Sequence, residues 1–188
     1  MMLLEIEPLD LGDDVRAVGL ELTEPDEYRE PIRGVEAAKI WTRALPAIAA
    51  SEPWSLDFFS HIDRVRDYCD AHHIAYRASG KRVIVIPAPA AAATPELLEP
   101  LLDRFQNETF GLRAGPLAQS EDPTLEAELA RRGIDAYHSA FKNYTYCAAF
   151  DPENGSLVLF TDKLTASEVI RRVRPVLDSK EVEIRLPA

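Results

Sequence analysis

Apolar and polar positions form their clearest pattern between residues 143 and 186. Two apolar runs, 143–150 and 156–161, flank a short loop that ends in Asn154 and Gly155, residue types that tolerate positive φ angles in tight turns. This pattern predicts a β-hairpin near the C-terminus.

A helix and a strand are predicted after this hairpin. Thr165 precedes Glu168 by three residues, a spacing in which the hydroxyl and the carboxylate satisfy free N–H groups at a helix start. Helical spacing of the apolar residues continues the helix, although Pro175 should kink its axis. Residues 181–186 alternate between polar and apolar, which is typical of a half-exposed strand at a sheet edge, where it can pair with another copy. The apolar positions of the helix are Ala166, Val169, Ile170, Val173, Val176 and Leu177.

The first half of the chain carries the same signals. Alternating residues predict a hairpin from 2–9 and 15–23, and a second one from 74–78 and 82–86 around Gly80. Together with the C-terminal elements, these hairpins predict an α+β fold. Its sheet is mixed and largely antiparallel, and the amphipathic helices pack on one face of it.

Two helices are predicted between the first two hairpins. The first covers residues 35–48, and Pro46 should end or kink it near Leu45 because proline lacks the N–H that the helix needs. The second begins with Ser55 as N-cap. Its apolar stripe consists of Phe58, Ile62, Val65, Cys69 and His72.

A segment rich in proline and alanine, residues 87–95, is the one credible internal boundary in an otherwise single predicted domain of 188 residues. We expect a short helix from Thr94 to Phe105, followed by a polar loop over residues 106–122. A further short helix should then run from Asp122 until Gly133 ends it.

Composition favours a folded soluble protein, with 46% hydrophobic and 28% charged residues. No apolar run approaches the roughly 20 residues that cross a bilayer, and the N-terminus lacks the basic region of a signal peptide. Cys69 and Cys147 are too few for a disulfide framework. We therefore expect a cytoplasmic protein without a membrane partner.

The net charge of −11 is concentrated near the N-terminus. Residues 1–32 hold ten acidic residues against Arg16 and Arg29, so they carry −8, and the remaining 156 residues carry only −3. Such acidity repels nucleic acid, which is not expected as a partner. The acidic region steers a basic protein, holds a basic patch elsewhere on the chain, or forms a solvated face.

The sequence contains little that supports a metal site or a cofactor site. Cys69 and His73 stand four residues apart and would share a helix face, but no paired motif supplies further ligands and Cys69 belongs to the apolar stripe. The chain contains neither a complete P-loop nor a GxGxxG motif. The sequence therefore predicts no metal site and no cofactor.

Two sets of polar residues remain as candidates. His138 at a predicted helix-to-strand junction, His73 and His72 are weak candidates for acid–base chemistry, since a lone histidine is more often structural. Five arginines are weak candidates for binding an anion or an acidic partner, and their other interpretation is the solvated face of amphipathic helices. They are Arg131, Arg132, Arg171, Arg172 and Arg174.

Two hypotheses about function follow. The first is a non-enzymatic binding, regulatory or assembly module that contacts another protein or a second copy of itself. The second is a small acid–base enzyme whose histidine and carboxylates come together from loops, an arrangement that leaves no local signature.

Overall fold

The structure is a computed structural model that describes residues 1–12, 15–50, 52–87, 110–151 and 154–186. The strands of the described part are β1 (Met2–Asp10), β2 (Arg16–Thr23), β3 (Trp54–Phe58), β4 (Ala75–Ser79), β5 (Arg82–Ile86), β6 (Phe110–Ala114), β7 (Tyr146–Asp151), β8 (Ser156–Phe160) and β9 (Val182–Arg185). The helices are α1 (Gly34–Ala49), α2 (Ile62–Ala71), α3 (Pro123–Arg132) and α4 (Ala166–Val173). Short helical turns at Gly133–Ala136, Tyr137–Ala140 and Phe141–Asn143 follow α3, and another at Arg174–Val176 follows α4.

All nine strands form one sheet in the order β4-β5-β3-β6-β7-β8-β2-β1-β9. Neighbouring strands run antiparallel except for β1 and β9, which are parallel. This confirms the predicted α+β fold with a mixed, largely antiparallel sheet. The three predicted hairpins are present as β1–β2, β4–β5 and β7–β8.

Helices α1, α2 and α4 cover one face of the sheet, which we call the first face. Their buried residues form one apolar cluster with alternate residues of the strands, including Trp41 of α1 and Leu112 of β6. The rings of Trp41 and Phe150 of β7 are nearly perpendicular, with ring centroids 5.4 Å apart. The main core of the protein lies in this layer.

A smaller layer covers part of the opposite face, which we call the second face. Leu125 and Leu129 of α3 and Tyr137 of the helical turns pack there against Cys147 and Phe160. The sequence pattern placed helices on one face only, and the structure adds this second layer. The reason is that central strands β7 and β8 present buried residues to both sides, as expected of strands deep in a covered sheet.

Strand β3 corrects the sequence interpretation of Ser55. We predicted this residue as the N-cap of a helix, but it lies inside a strand whose five residues are all buried. The helix, α2, begins only at Ile62. The error arose because Phe58 fits both a helical stripe and the alternating pattern of a strand. The end of the predicted stripe is also wrong, because His72 is exposed after the last turn of α2.

Strand β6 corrects the predicted polar loop over residues 106–122. Phe110–Ala114 is a fully buried strand between β3 and β7. Gly111 in this strand lies directly beneath Tyr137, and an added Cβ would overlap the tyrosine ring and hydroxyl. This glycine therefore marks a close approach of a helical turn to the sheet and not a loop.

Two prolines lie in or beside the helices of the first face. Helix α1 continues through Pro46 to Ala49, so Pro46 does not end it near Leu45. Burial of Ile48 and Ala49 against the core offsets the missing backbone hydrogen bond. Helix α4 ends at Val173, and Pro175 lies in the following helical turn, which leaves Val176 exposed.

The predicted starts of α3 and α4 and the predicted end of α3 are present in the structure. Asp122 accepts a hydrogen bond from Leu125 N at the start of α3, and Gly133 ends this helix with a φ of 62°. Thr165 accepts a hydrogen bond from Glu168 N at the start of α4. The proline- and alanine-rich segment 87–95, apart from Pro87, and the helix expected from Thr94 to Phe105 lie outside the described residues.

Candidate functional site

Strand β9 occupies one end of the sheet, and within the described part of the chain it has a neighbouring strand on one side only. Val182 is buried in the core, Ile184 is half-buried, and 50% of Leu186 is exposed. Met1, which is 70% exposed, lines a cavity of about 350 Å³ together with Val182 and Ile184. We call residues Val182–Leu186 and Met1 the β9 edge.

The register of β9 against β1 decides which backbone groups of β9 are left for a partner. Met2 is aligned with Val182, and its N–H donates to the carbonyl of Glu181 at 2.7 Å. In a parallel ladder, alternate residues of a strand point their N–H and C=O groups to opposite sides. Glu181 and the odd-numbered residues after it therefore bond to β1, and Ile184 turns its N–H and C=O away from the sheet.

The polar side chains of β9 lie on the second face. Arg185 Nη2 donates to Glu183 Oε1 at 2.8 Å, and the two side chains are 46% and 45% exposed. An ion pair this exposed contributes little to stability. Both charges remain accessible to a partner that offers a carboxylate and a guanidinium at matching positions.

A buried polar cluster lies elsewhere, between the centre of the sheet and the second-face layer. Arg113 Nη2 donates to Asp57 Oδ1 at 2.9 Å and Nε donates to Oδ2 at 3.1 Å, with both side chains fully buried. The hydroxyl of Tyr137 donates to the same carboxylate. Arg113 Cζ lies 5.9 Å from the centre of the Tyr144 ring. Tyr144 in turn donates to Asp122 Oδ2 at 2.8 Å.

The pKa values in this cluster follow from burial and from the charge of Asp57. Burial by itself lowers the pKa of Arg113, but the Asp57 carboxylate together with Tyr137 and Tyr144 more than offsets this effect and the pKa is raised. Burial and the same carboxylate raise the pKa of Tyr137. The cluster thus holds a fully buried salt bridge whose carboxylate accepts a hydrogen bond from the Tyr137 phenol, and it fixes the second-face layer to the sheet.

Sequence reasoning missed this cluster because Asp57 lay in a predicted helix and Arg113 in a predicted loop. A signal for it exists in the chain. Each residue is the one charged position in a short alternating segment, 54–58 or 110–114. A single charge in a segment that reads as a buried strand requires a partner of opposite charge in the core.

The three candidate histidines do not form a site together. His138 is exposed on the second-face side, where its ring lies 4.8 Å from the ring of Phe160. His72 is exposed and lies against Tyr68 of α2, and His73 beside it is exposed with a φ of 55°. None of the hydrogen bonds or ion pairs between described residues joins these three histidines to a carboxylate.

The candidate arginines divide into two separate groups, because α3 and α4 pack on opposite faces of the sheet. Arg131 and Arg132 pair with Glu128 on α3. Arg172 donates to the carbonyl of Ile48 at 2.7 Å, at the end of α1. The other two are Arg171, which is exposed, and Arg174, which is exposed and lines the cavity at the β9 edge.

Other places on the described chain offer less for a ligand. An open cavity of about 750 Å³ lies beside the β1–β2 turn. Its lining mixes both charges, Asp10 and Asp162 with Arg16 and Lys163, and so does not favour a ligand of one charge. Lys163 already donates to the carbonyl of Tyr144 at 2.7 Å. Among the described residues, no group of three or more histidine, cysteine, aspartate or glutamate side chains is arranged to hold a metal.

The Cys69 thiol is not activated as a nucleophile. Burial, with a smaller effect of Asp70, raises the pKa of this thiol to about 11.

Comparison with protein families, with curated proteins and with solved structures found no match. In the part of the chain that the structure describes, no helix has both the length and the apolar character needed to cross a membrane. What the protein does therefore has to be inferred from its own residues.

Proposed function

We propose that this protein is a non-enzymatic binding and assembly module, and that the β9 edge is its contact surface. The partner adds an extended segment beside β9 and so continues the sheet. The observation that carries this proposal is the outward direction of the Ile184 backbone groups beside the exposed side chain of Leu186.

Strand addition suits the chemistry of this edge. Hydrogen bonds between main chains supply affinity in this binding mode, and alternate side chains supply specificity. The edge offers apolar residues on the first face and a carboxylate and a guanidinium on the second face. Charged side chains on a short edge strand also discourage indiscriminate pairing, so the partner has to match them.

The placement of the histidines supports this proposal over the acid–base enzyme. A general base needs a partner group and a substrate position within hydrogen-bond reach. His72 and His138 instead lie against aromatic rings on opposite sides of the sheet. The buried pair of Asp57 and Arg113 has no exposed surface at which a substrate could react.

Binding of short extended peptides tests the proposal. Three fluorescently labelled hexapeptides with alternating valine, isoleucine or leucine carry glutamate, arginine or both at their polar positions. We expect the mixed peptide to bind, as measured by fluorescence anisotropy, and Leu186→Lys to weaken its binding at least tenfold. Leu117→Lys is the matched control, because Leu117 is an exposed leucine in a loop beyond β6, with 55% of its surface accessible.

A second variant separates backbone pairing from side-chain contact. Ile184→Pro removes an N–H that points away from β1, so the β1–β9 ladder keeps its hydrogen bonds while strand addition loses its central donor. Circular dichroism checks that the variant is folded. If none of the three peptides binds and no second copy of the chain pairs at this edge, or if Leu186→Lys and Leu117→Lys bind the peptides equally well, the proposal is wrong.

A further inference from the structure

We propose that the partner at the β9 edge is a second copy of this chain, paired antiparallel about a two-fold axis through Ile184. This inference rests on the proposed function of the β9 edge and names its partner. The axis sets Ile184 opposite itself, Glu183 opposite Arg185, and Val182 opposite Leu186. The two sheets then join into one continuous sheet of the dimer.

The backbone groups of β9 fit this arrangement. In an antiparallel pair, opposite residues exchange two N–H···O bonds only where both turn their backbone groups toward each other. Ile184 meets this condition because the odd-numbered residues of β9 bond to β1. Leu186 N–H can donate to the Val182 carbonyl of the second copy. The N–H of Val182 itself is already bonded to the carbonyl of Asp178 at 2.9 Å.

The charges of β9 are complementary only in this register. Glu183 and Arg185 lie one residue on either side of Ile184, so each faces the opposite charge of the second copy. These positions are not hydrogen-bonded to each other, and in such pairs the side chains approach most closely. An axis moved by one residue in either direction would set Glu183 against Glu183 or Arg185 against Arg185. Like charges directly opposite each other destabilise a strand pair.

The apolar residues also match. Val182 and Ile184 belong to the first face, where they pack on the core of α1 and α4, and Leu186 follows them at the same alternation. Leu186 is 50% exposed, and Val182 of the second copy would lie opposite it and cover it. One strand pair buries little surface, and contacts below about 1,200 Å² are typical of weak association. The dimer should therefore depend on protein concentration.

Charge reversal tests the register in the full-length chain. Sedimentation equilibrium should detect self-association of the wild-type protein and at least a tenfold weakening in Glu183→Arg and in Arg185→Glu. An equimolar mixture of the two variants should associate again, because one edge is then wholly basic and the other wholly acidic. The double variant, which exchanges the two charges, should also self-associate. Arg131→Glu is the matched control, since it reverses an exposed arginine of α3 and should leave association unchanged.

Crosslinking gives a second measurement that does not depend on charge. Ile184→Cys should form an intermolecular disulfide under mild oxidation, because hydrogen-bonded opposite residues have Cα atoms about 5.5 Å apart, within disulfide range. Leu186→Cys faces Val182 in the same arrangement and should crosslink far more slowly. The native thiols, Cys69 and Cys147, are both buried and do not compete.

The outcomes separate this inference from the proposed function. A chain that stays monomeric at every concentration while the alternating peptides bind would overturn self-pairing and leave strand addition standing. Association that persists in both single reversals, without recovery specific to the mixture, would overturn this register. Failure of all peptides to bind, in a chain that also stays monomeric at every concentration, would overturn the proposed function itself.

Discussion

Asp57 of β3 and Arg113 of β6 form a salt bridge that is completely buried, although 56 residues separate them in the chain. Two hydrogen bonds hold the guanidinium to the carboxylate, and the hydroxyl of Tyr137 completes the coordination of Asp57. The pair therefore connects two central strands to the layer on the second face. Because both charges are out of water, each depends on the other for compensation.

Removing one partner of this pair should strongly reduce the stability of the fold. Asp57→Asn leaves the Arg113 guanidinium buried without a counter-charge, and we expect a loss of about 3–5 kcal/mol in the free energy of unfolding. Urea unfolding monitored by circular dichroism measures it. Glu128→Gln serves as the control, since it removes a carboxylate from an exposed ion pair with Arg131 and should change stability little. Equal effects of the two substitutions would contradict the assigned role of Asp57.

Gly111 should resist even the smallest substitution. Gly111→Ala drives a Cβ into the ring of Tyr137, and overpacking of this kind typically costs about 1–3 kcal/mol. In a Tyr137→Leu background the cost should be smaller, because the ring that causes the clash is absent. A double-mutant cycle from urea unfolding tests the coupling. Strictly additive effects would show that Tyr137 does not restrict position 111.

Asp122 should matter more than an ordinary helix cap. Its Oδ1 accepts from Leu125 N at 3.0 Å while its Oδ2 accepts from the hydroxyl of Tyr144. Loss of a cap costs about 1 kcal/mol, as expected for Thr165→Ala at the start of α4. Asp122→Ala should exceed that value because Tyr144 also loses its acceptor, and Asp122→Asn should recover most of the difference. Thermal and urea unfolding of the three variants give the ranking.

The stability of the protein should fall at alkaline pH. Burial raises the pKa of Cys69 from its ordinary 9.0 to about 11 and contributes most to raising that of Tyr144 from 10.0 to about 12. Both groups hold their protons more tightly in the folded state, so their contribution is intact below pH 9 and is lost as the pH rises from there toward 11–12. Urea unfolding between pH 8 and 10.5 measures the decline. Cys69→Ala should reduce the slope, by up to about 1.4 kcal/mol per pH unit.

Self-association should not depend on the basic residues of α4. Arg171→Glu reverses an exposed charge on the outer side of that helix and should leave the association constant unchanged. Leu186→Lys adds a charge to the apolar row of the β9 edge and should abolish association. Sedimentation equilibrium at low and high salt checks both variants. A loss of association in Arg171→Glu alone would identify α4, and not β9, as the interface.

The sequence by itself determined the local elements whose signals lie within a few residues of each other. Alternation on both sides of a turn specified the β1–β2, β4–β5 and β7–β8 hairpins, because strands joined by a short loop pair with each other. Asp122 and Thr165 specified the starts of α3 and α4 through the N–H groups that they bind. The alternation of residues 181–186 likewise specified a strand.

Only the tertiary structure decided how these elements meet. Strands β3 and β6 lie in the middle of the sheet with one charged residue each, and neither charge can be interpreted until the other is placed beside it on the neighbouring strand. The parallel pairing of β9 with β1 brings residues 2–5 beside residues 182–185, and it determines which backbone groups of Ile184 point outward. Local periodicity specifies which face of an element is apolar, but contacts between distant residues depend on the balance of burial and charge over the whole sheet.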